Sequence, residues 1–330
     1  MRKNTIILII GVVLMTIAIM LSLQYGSKNY TLSTVFDAVF HYKKDVVEHQ
    51  IIYEIRLPRA VAAALIGSFL ALSGCVMQVL TRNPLAEPQL LGVSYGAAFA
   101  LVITLAFYPT LSLTGTMLAS IAGAGVAVIL VFGLAAISKG AAAPVKLALA
   151  GVALGMFLSS LTSCISLYFD VAKDMSFWYA GGLSGITWNS VKLLSVGGLF
   201  GFIIVALIAR ALTILHLGED MTKGLGIHIG LVRGLGVIAV LLLTGSSVAV
   251  SGTIGFIGLV VPHICRMLVG TDYRLLLPVS ALFGAVLLLF ADLGAKLINP
   301  PYETPVGVIT ALIGVPFFIY LVRRGRGPSF

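Results

Sequence analysis

The stretch LHLGEDMTKGLGIHIGLVR, Leu215–Arg233, is the longest charged interruption in the apolar C-terminal half of the chain. Glu219 and Asp220 stand where a short helix would begin, and their negative charges suit the positive end of a helix dipole. Gly224 and Gly226 can supply the left-handed turn that ends a helix. Since long apolar segments precede and follow it, the stretch predicts a helix of roughly two turns lying across a membrane surface, where another protein could bind it. An ordinary solvated loop would fit the same pattern.

The composition around this stretch is that of a membrane protein. The 330 residues are 59% hydrophobic and 10% charged, with a mean hydropathy of +1.09. These charges are too few to cover a water-soluble globule of this size. One span needs ~20 apolar residues, so the chain has room for roughly ten helices with short connections. The apolar runs are continuous rather than alternating, which excludes a transmembrane β-barrel.

The net charge of +9 does not indicate nucleic-acid binding, because the basic residues are scattered singly between apolar runs. Cys75, Cys164 and Cys265 are odd in number and widely spaced, which suits neither a disulfide framework nor a zinc site. We interpret all three as packing residues. The sequence therefore predicts no nucleic-acid partner and no bound metal.

Threading the chain through the bilayer predicts that both termini are cytoplasmic. The first apolar run exceeds a signal-peptide core and no A-x-A site follows it, so we expect it to be retained as the first span. The predicted spans are about 4–23, 56–80, 91–108, 113–137, 147–168, 191–215, 235–249, a short or broken helix within 251–268, 275–297 and 305–322. Residues 24–56 and 170–190 would be extracytoplasmic and 215–233 cytoplasmic. About 13 of the 21 Lys and Arg residues then lie inside, as the positive-inside rule favours.

Several blocks of the sequence carry a more specific signal. They are RLPR (56–59), SGCVMQVLTRNPLAEPQLLGVSYGAA (73–98), LALAGVALG (147–155), LGEDMTKGLG (217–226), SGTIGFIGLVVPHICRMLVGTDYRLLLP (251–278), ADLGAK (291–296) and ETPVGVITALIGVPFFIYLV (303–322). Together, from about Arg56 to the C-terminus, they resemble the FecCD-type permeases. These are the membrane subunits of bacterial ABC importers for iron–siderophores, haem and cobalamin.

The resemblance implies an all-α integral membrane protein of the type II ABC importer permease architecture, with residues 1–330 forming one transmembrane permease domain. It implies a second permease copy, identical or related, an ABC ATPase dimer inside and a substrate-binding protein outside, in the bacterial cell membrane. The cargo would be an iron chelate, most often a ferric siderophore in this family, with haem and cobalamin open. The chain has no GK dipeptide and so no Walker A loop. It would therefore be no enzyme and bind no cofactor itself, while ATP and Mg²⁺ would be bound by the ATPase.

The resemblance also implies functional residues at the cytoplasmic side. The segment matching the family's ATPase-coupling helix contains Gly218, Glu219, Gly224, Leu225 and Gly226. The glycines are expected to give the segment its shape, and Leu225 is expected to make an apolar contact with the ATPase. Glu219 is expected either to cap the helix or to make a polar contact with the ATPase.

The regions that narrow the cytoplasmic end of the pathway match Asn83, Leu85 and Ala143. The linker around Ala143 has Ala-Ala-Pro where some relatives have hydroxyl residues, and Asn83 could equally be a helix cap before Pro84.

On the outside, Arg56, Arg59 and Lys296 match basic positions that receive acidic residues of the binding protein. They could instead be interfacial anchors whose charged ends reach water. The alternative function is an ion-coupled secondary transporter, with Asp292 and Glu303 as coupling carboxylates and broken helices near Pro262 and Pro278. Against it, Lys296 follows Asp292 by four residues and would pair with it across one helical turn.

Overall fold

The computed structural model describes residues 2–88, 92–137, 143–300 and 302–324, which form helices and no strand. In chain order the helices are α1 (Arg2–Gln24), α2 (Leu32–Phe40), α3 (Val47–Gln50), α4 (Leu57–Leu80), α5 (Val93–Phe107), α6 (Leu113–Ile137), α7 (Ala143–Tyr168), α8 (Ala172–Ala180), α9 (Trp188–His216), α10 (Glu219–Gly224), α11 (Ile229–Ser251), α12 (Ile257–Val269), α13 (Tyr273–Ile298) and α14 (Val306–Arg324). A π-helical segment, Ile51–Arg56, joins α3 to α4 without a break.

The apolar helices agree with the predicted spans. In the described parts of the chain, 7 helices are long and apolar enough to cross a membrane, namely α1, the continuous α3–α4 helix, α6, α7, α9, α11 and α13; α5, α12 and α14 are shorter apolar helices. The predicted all-α architecture of roughly ten membrane helices is therefore confirmed. Helices α7 and α11 begin at Ala143 and Ile229, earlier than the predicted starts near 147 and 235.

Helix α4 is the centre of the bundle, since most of its residues are buried and it packs against α1, α9, α11, α12 and α13. Gly67 faces Gly284 where α4 crosses α13, and Gly74 faces Gly258 where it crosses α12. A Cβ on Gly67 or Gly74 would overlap the backbone of the partner helix. Small residues at these crossings thus allow the close helix contact that membrane bundles use for packing.

The helix predicted within 251–268 is α12, a helix of 13 residues that follows a non-helical segment, 252–256. The carboxylate of Glu87 accepts a hydrogen bond from the Phe256 backbone N–H at 2.7 Å, which satisfies one of the free amides at the start of the helix. Pro262 and Pro278 lie inside α12 and α13, and neither ends its helix. The breaks that a secondary transporter was predicted to have at these prolines are absent.

The two ends of the bundle are distinct. Trp188 at the start of α9 donates from Nε1 to the Tyr53 carbonyl at 3.1 Å, so the segment that contains α2 and α3 and the segment that contains α8 meet at one end, called here the outer end. Helix α9 leads from there to α10 at the opposite end, called here the inner end. Between α1 and α4 the chain forms α2, with the short α3 and the π-helical segment following it.

The cysteines divide into two groups. Cys75 and Cys265 are buried, as predicted for packing residues. Cys164 is exposed on α7, so that interpretation is wrong for it. The reason is that the bundle covers α7 only in part: 28% of the apolar stretch of α7 is buried, and the helix presents much of its surface outward.

Candidate functional site

At the inner end, the predicted short helix forms as α10. Gly218 precedes it with φ +125° and Gly226 follows it with φ +73°. The Gly226 N–H donates to the Lys223 carbonyl at 2.9 Å and the Ile227 N–H donates to the Thr222 carbonyl at 3.1 Å, which is the Schellman arrangement of a helix C-terminus. Gly226 therefore supplies the predicted left-handed turn. Gly224 does not, because it is the last residue of α10 itself.

Helix α10 has one face held to the bundle. Thr222 is fully buried, and its hydroxyl donates to the Gly218 carbonyl at 2.6 Å and lies 3.3 Å from the Ile214 carbonyl of α9. Three large apolar side chains are exposed on α10 and beside it: Leu217, two residues before the helix, Met221 within it, and Leu225 directly after it, which are 62%, 57% and 60% exposed. We call these three residues the apolar stripe. Sequence reasoning identified Leu225 alone, although its spacing of four residues from Met221 would have indicated that residue as well.

The acidic residue at the start of α10 is paired within the subunit. Oε1 of Glu219 accepts a hydrogen bond from Arg233 Nη2 of α11 at 2.7 Å and lies 3.0 Å from Arg82 Nη2. Gly218, which precedes Glu219, has no side chain with which to cap α10. The carboxylate of Glu219 thus joins α10 to α11 and to the loop that follows α4.

The predicted gate residues of the α4–α5 loop also lie at the inner end. The Asn83 side-chain Oδ1 accepts a hydrogen bond from the Leu85 N–H at 2.9 Å, and the Ala86 N–H donates to the Asn83 carbonyl at 3.1 Å. Asn83 therefore stabilises the turn that it begins. Ala143 is the first residue of α7, and residues 138–142 of the predicted linker lie outside the described residues. The gating role of Asn83, Leu85 and Ala143 stays a prediction.

At the outer end, four side chains form what we call the outer ionic cluster: Arg59, Asp292, Lys296 and Glu303. Arg59 bonds Asp292 Oδ1 through Nε and Nη2, both at 2.9 Å, and Glu303 Oε1 through Nη1 at 2.6 Å. The Lys296 ammonium lies 2.7 Å from Asp292 Oδ2 and 3.0 Å from the Ser22 hydroxyl. The predicted pairing of Asp292 with Lys296 is therefore present, and Arg59 is an additional partner of that carboxylate.

Arg56 lies beside the cluster and serves a different purpose. Its guanidinium donates to the backbone carbonyls of Leu23, at 2.7 Å, Gln24, at 3.0 Å, and Lys28, and lies 4.7 Å from the centre of the Tyr30 ring. Arg56 thus holds the chain as it leaves α1.

The three predicted docking residues, Arg56, Arg59 and Lys296, are only 7%, 7% and 9% exposed. The alternative of interfacial anchors is wrong for Arg59 and Lys296, because their charged groups are buried against carboxylates. All three residues nevertheless line a cavity of about 270 Å³ at the outer end, together with Tyr302 and Glu303. Three basic side chains here meet two acidic ones, so this region keeps one excess positive charge.

Glu303 is the accessible member of the cluster, with a side chain that is 43% exposed, whereas that of Asp292 is fully buried. Partial burial disfavours the charged form of Glu303, but a hydrogen bond from Ser184 and the charge of Arg59 outweigh it and lower the pKa of the carboxyl group. Glu303 is therefore ionised near neutral pH.

Comparison with known proteins decides the family to which these features belong. The family model described as the FecCD transport family matches residues 14–324. The chain belongs to this family. It is 51% identical over 321 residues to the iron(3+)-hydroxamate import system permease protein FhuB of Bacillus subtilis, covering 97% of this chain and 84% of FhuB. It is 43% identical over 284 residues to the vitamin B12 import system permease protein BtuC of Vibrio cholerae, covering 85% of each protein.

A solved structure shares the fold across nearly the whole FecCD chain. It shows an inward-facing conformation of a metal-chelate type ABC transporter and superposes with a TM-score of 0.85 at 32% sequence identity, covering 96% of this chain and 99% of the other. The helices described above are thus the architecture of an ABC importer permease. The chain is a multi-pass membrane protein of the kind that the sequence predicted.

Proposed function

We propose that this FecCD permease carries an iron chelate, most directly a ferric hydroxamate siderophore, across the bacterial cell membrane into the cytoplasm. The observation that carries the proposal is the 51% identity to the hydroxamate permease FhuB over 97% of the chain. The whole chain would act as one transmembrane permease domain that pairs with a second copy, identical or related. The outer end would be extracytoplasmic, with α10 in the cytoplasm.

ATP hydrolysis would take place on a separate ABC ATPase dimer, with ATP and Mg²⁺ bound there. The apolar stripe supports this division of labour, because three large apolar side chains exposed on and beside a surface helix are suited to burial in a cleft of another protein. Thr222 on the opposite face fixes α10 to α9, so force applied to the stripe would be transmitted to a long membrane helix. The proposed coupling residues are therefore those derived from the family together with two further members of the apolar stripe: Gly218, Glu219, Gly224, Leu225 and Gly226, and in addition Leu217 and Met221.

A substrate-binding protein would dock at the outer end. The excess positive charge around the cavity supports this, because it would attract the acidic residues of a partner and speed their encounter. Reversing the charge of Arg56 or Arg59 would disturb the fold, since both are bonded inside the subunit. Glu303→Gln is the sharper test: it makes the cavity more positive, so it should raise the association rate of the binding protein, most strongly at low salt. An unchanged rate in a normally folded variant would argue against docking at this cavity.

The secondary-transporter alternative loses its candidate groups. Asp292 and Glu303 are both bonded to Arg59, so neither carboxylate is available to bind a coupling ion without breaking the cluster. The comparisons with permeases of import systems also favour the ABC importer.

The deciding experiment reconstitutes the permease with its ATPase and binding protein in proteoliposomes. Uptake of a radiolabelled ferric hydroxamate should require ATP and the binding protein and should survive an uncoupler. Ferric citrate and vitamin B12, which are named for other relatives of this chain, serve as competitors. Competition by either one equal to that of the unlabelled hydroxamate would change the cargo assignment, and uptake without the ATPase would refute the importer mechanism.

A further inference from the structure

Helices α4 and α10 end in the same backbone arrangement with different residues at its left-handed position. At the end of α4, the Arg82 N–H donates to the Val79 carbonyl and the Asn83 N–H to the Gln78 carbonyl, both at 3.1 Å. This is the bonding pattern that ends α10, where the left-handed residue is Gly226. At α4 it is Arg82, with φ +50°. Glycine is the usual residue there because a Cβ is strained, so an arginine at this position calls for an explanation.

The side chain of Arg82 supplies one. Its Nη2 lies 3.0 Å from Glu219 Oε1, at the first residue of α10. The same oxygen is bonded to Arg233 of α11. Arg233 joins α10 to the helix that follows it in the chain, whereas Arg82 joins α10 to the loop between α4 and α5.

A cavity lies between the end of α4 and the segment that leads from α9 into α10. It measures about 150 Å³ and is lined by Val79, Arg82, Leu215, His216, Leu217 and Gly218. Arg82, which pairs with Glu219, is the lining residue that reaches α10. On the far side of Arg82, the Asn83 side chain holds the turn to Leu85 in a fixed shape, so a displacement of Arg82 would carry the whole turn with it.

We propose that Arg82 is a positioning residue that couples α10 to the turn at 83–85, so that movement of the coupling helix by the ATPase moves the cytoplasmic gate loop. The proposal rests on the proposed function of α10 and extends it to a specific connection. The left-handed strain at Arg82 is retained because only a long cationic side chain leaving the end of α4 at this point reaches Glu219.

Because glycine is favoured at the left-handed position that Arg82 occupies, the ion pair can be removed without straining the backbone. Arg82→Gly removes the ion pair while placing the preferred residue at the left-handed position, and Glu219 keeps Arg233 as its partner. Arg82→Lys restores the charge. The matched control is Arg274→Ala, which removes another arginine paired to a carboxylate, Asp272 at 3.4 Å, without any connection to α10.

The first measurement is the amount of cargo transported per ATP hydrolysed by the reconstituted transporter. The side chains of Arg82 and Glu219 are 41% and 32% exposed, so their pairing is partly screened by water. R82G should therefore lower this ratio by about two- to fivefold, R82K should recover most of it, and R274A should match the wild type. An unchanged ratio in R82G, or a loss that R82K does not repair, would overturn the proposal.

The second measurement needs the permease alone and therefore stands even if the proposed transport function fails. Spin labels at residues 85 and 223, introduced into a Cys164→Ala background in lipid nanodiscs, report the distance between the turn and α10. The distance distribution should broaden in R82G and return to the wild-type width in R82K. A distribution that R82G leaves unchanged would show that Arg82 does not hold the two segments together.

Discussion

The outer ionic cluster permits a quantitative prediction about Asp292. This carboxylate is fully buried and balances two cations, Arg59 at 2.9 Å and Lys296 at 2.7 Å. Asp292→Asn leaves Arg59 with Glu303 but leaves the Lys296 ammonium buried with only the Ser22 hydroxyl. Removing one partner of a buried ion pair lowers stability by about 3–5 kcal/mol, because the other charge stays desolvated and uncompensated. We expect D292N to lower the free energy of unfolding by an amount in this range.

The double variant D292N/K296M tests the reason for that loss. Removing both charges leaves the pair of Arg59 with Glu303 balanced, and the methionine side chain can occupy the apolar volume of the lysine. Replacing a buried pair with apolar groups is often close to neutral, so the double variant should be roughly 2 kcal/mol more stable than D292N. The single variant K296M serves as the control, because it keeps the contact of Asp292 with Arg59.

Unfolding can be followed in mixed micelles of dodecylmaltoside and SDS through the fluorescence of Trp178 and Trp188, the two tryptophans of the chain. A loss below about 1 kcal/mol in D292N would mean that water or lipid headgroups screen the cluster. A double variant whose loss equals the sum of the single losses would mean that Asp292 and Lys296 do not interact. Either result would refute the assignment of a buried, mutually balanced cluster.

Two further predictions concern single residues. The pKa of Glu303 lies below the usual value of 4.5, so ionised Glu303 stabilises the fold above pH 4.5, and this stabilisation disappears as the pH falls through the lowered pKa. The stability difference between wild type and E303Q, measured by thermal unfolding, should therefore be constant near neutral pH and shrink below pH 4.5. A difference that grows on acidification would contradict this. Gly226 has φ +73° with open space around it, whereas Gly230 of α11 is helical and equally open. G226A should therefore strain the end of α10 by about 1–2 kcal/mol and lower ATP-driven uptake, with G230A as the near-neutral control. Equal uptake by the two variants would show that the left-handed turn is not needed for coupling.

Much of the architecture followed from local patterns in the sequence. Hydropathy over ~20 residues located most membrane helices, because a helix in lipid must satisfy its own backbone and can be recognised from its own residues. The acidic start and glycine end of the 215–233 stretch located α10, because the helix dipole and the left-handed turn also depend only on nearby residues. The spacing of Asp292 and Lys296 predicted their pairing, since residues four apart share a helix face.

The site residues were predicted less completely. Arg56, Arg59 and Lys296 were expected to carry exposed charges, yet all three are buried at the outer end. Arg82 and Arg233 were not identified as partners of Glu219, and Leu217 and Met221 were not identified as companions of Leu225. A count of basic residues at a membrane boundary does not show which of them the fold covers.

The sequence by itself determined which segments are helices, where the chain turns, and that the protein lies in a membrane, because these properties depend on residues within a few positions of one another. The tertiary structure alone decided the partners of the charged groups. Arg59 meets Asp292 and Glu303 across separations of 233 and 244 residues, and Arg82 meets Glu219 only because α4 and α9 end side by side. Such pairs are selected by how the helices pack, and the close crossings of α4 with α12 and α13 at Gly74 and Gly67 establish that packing.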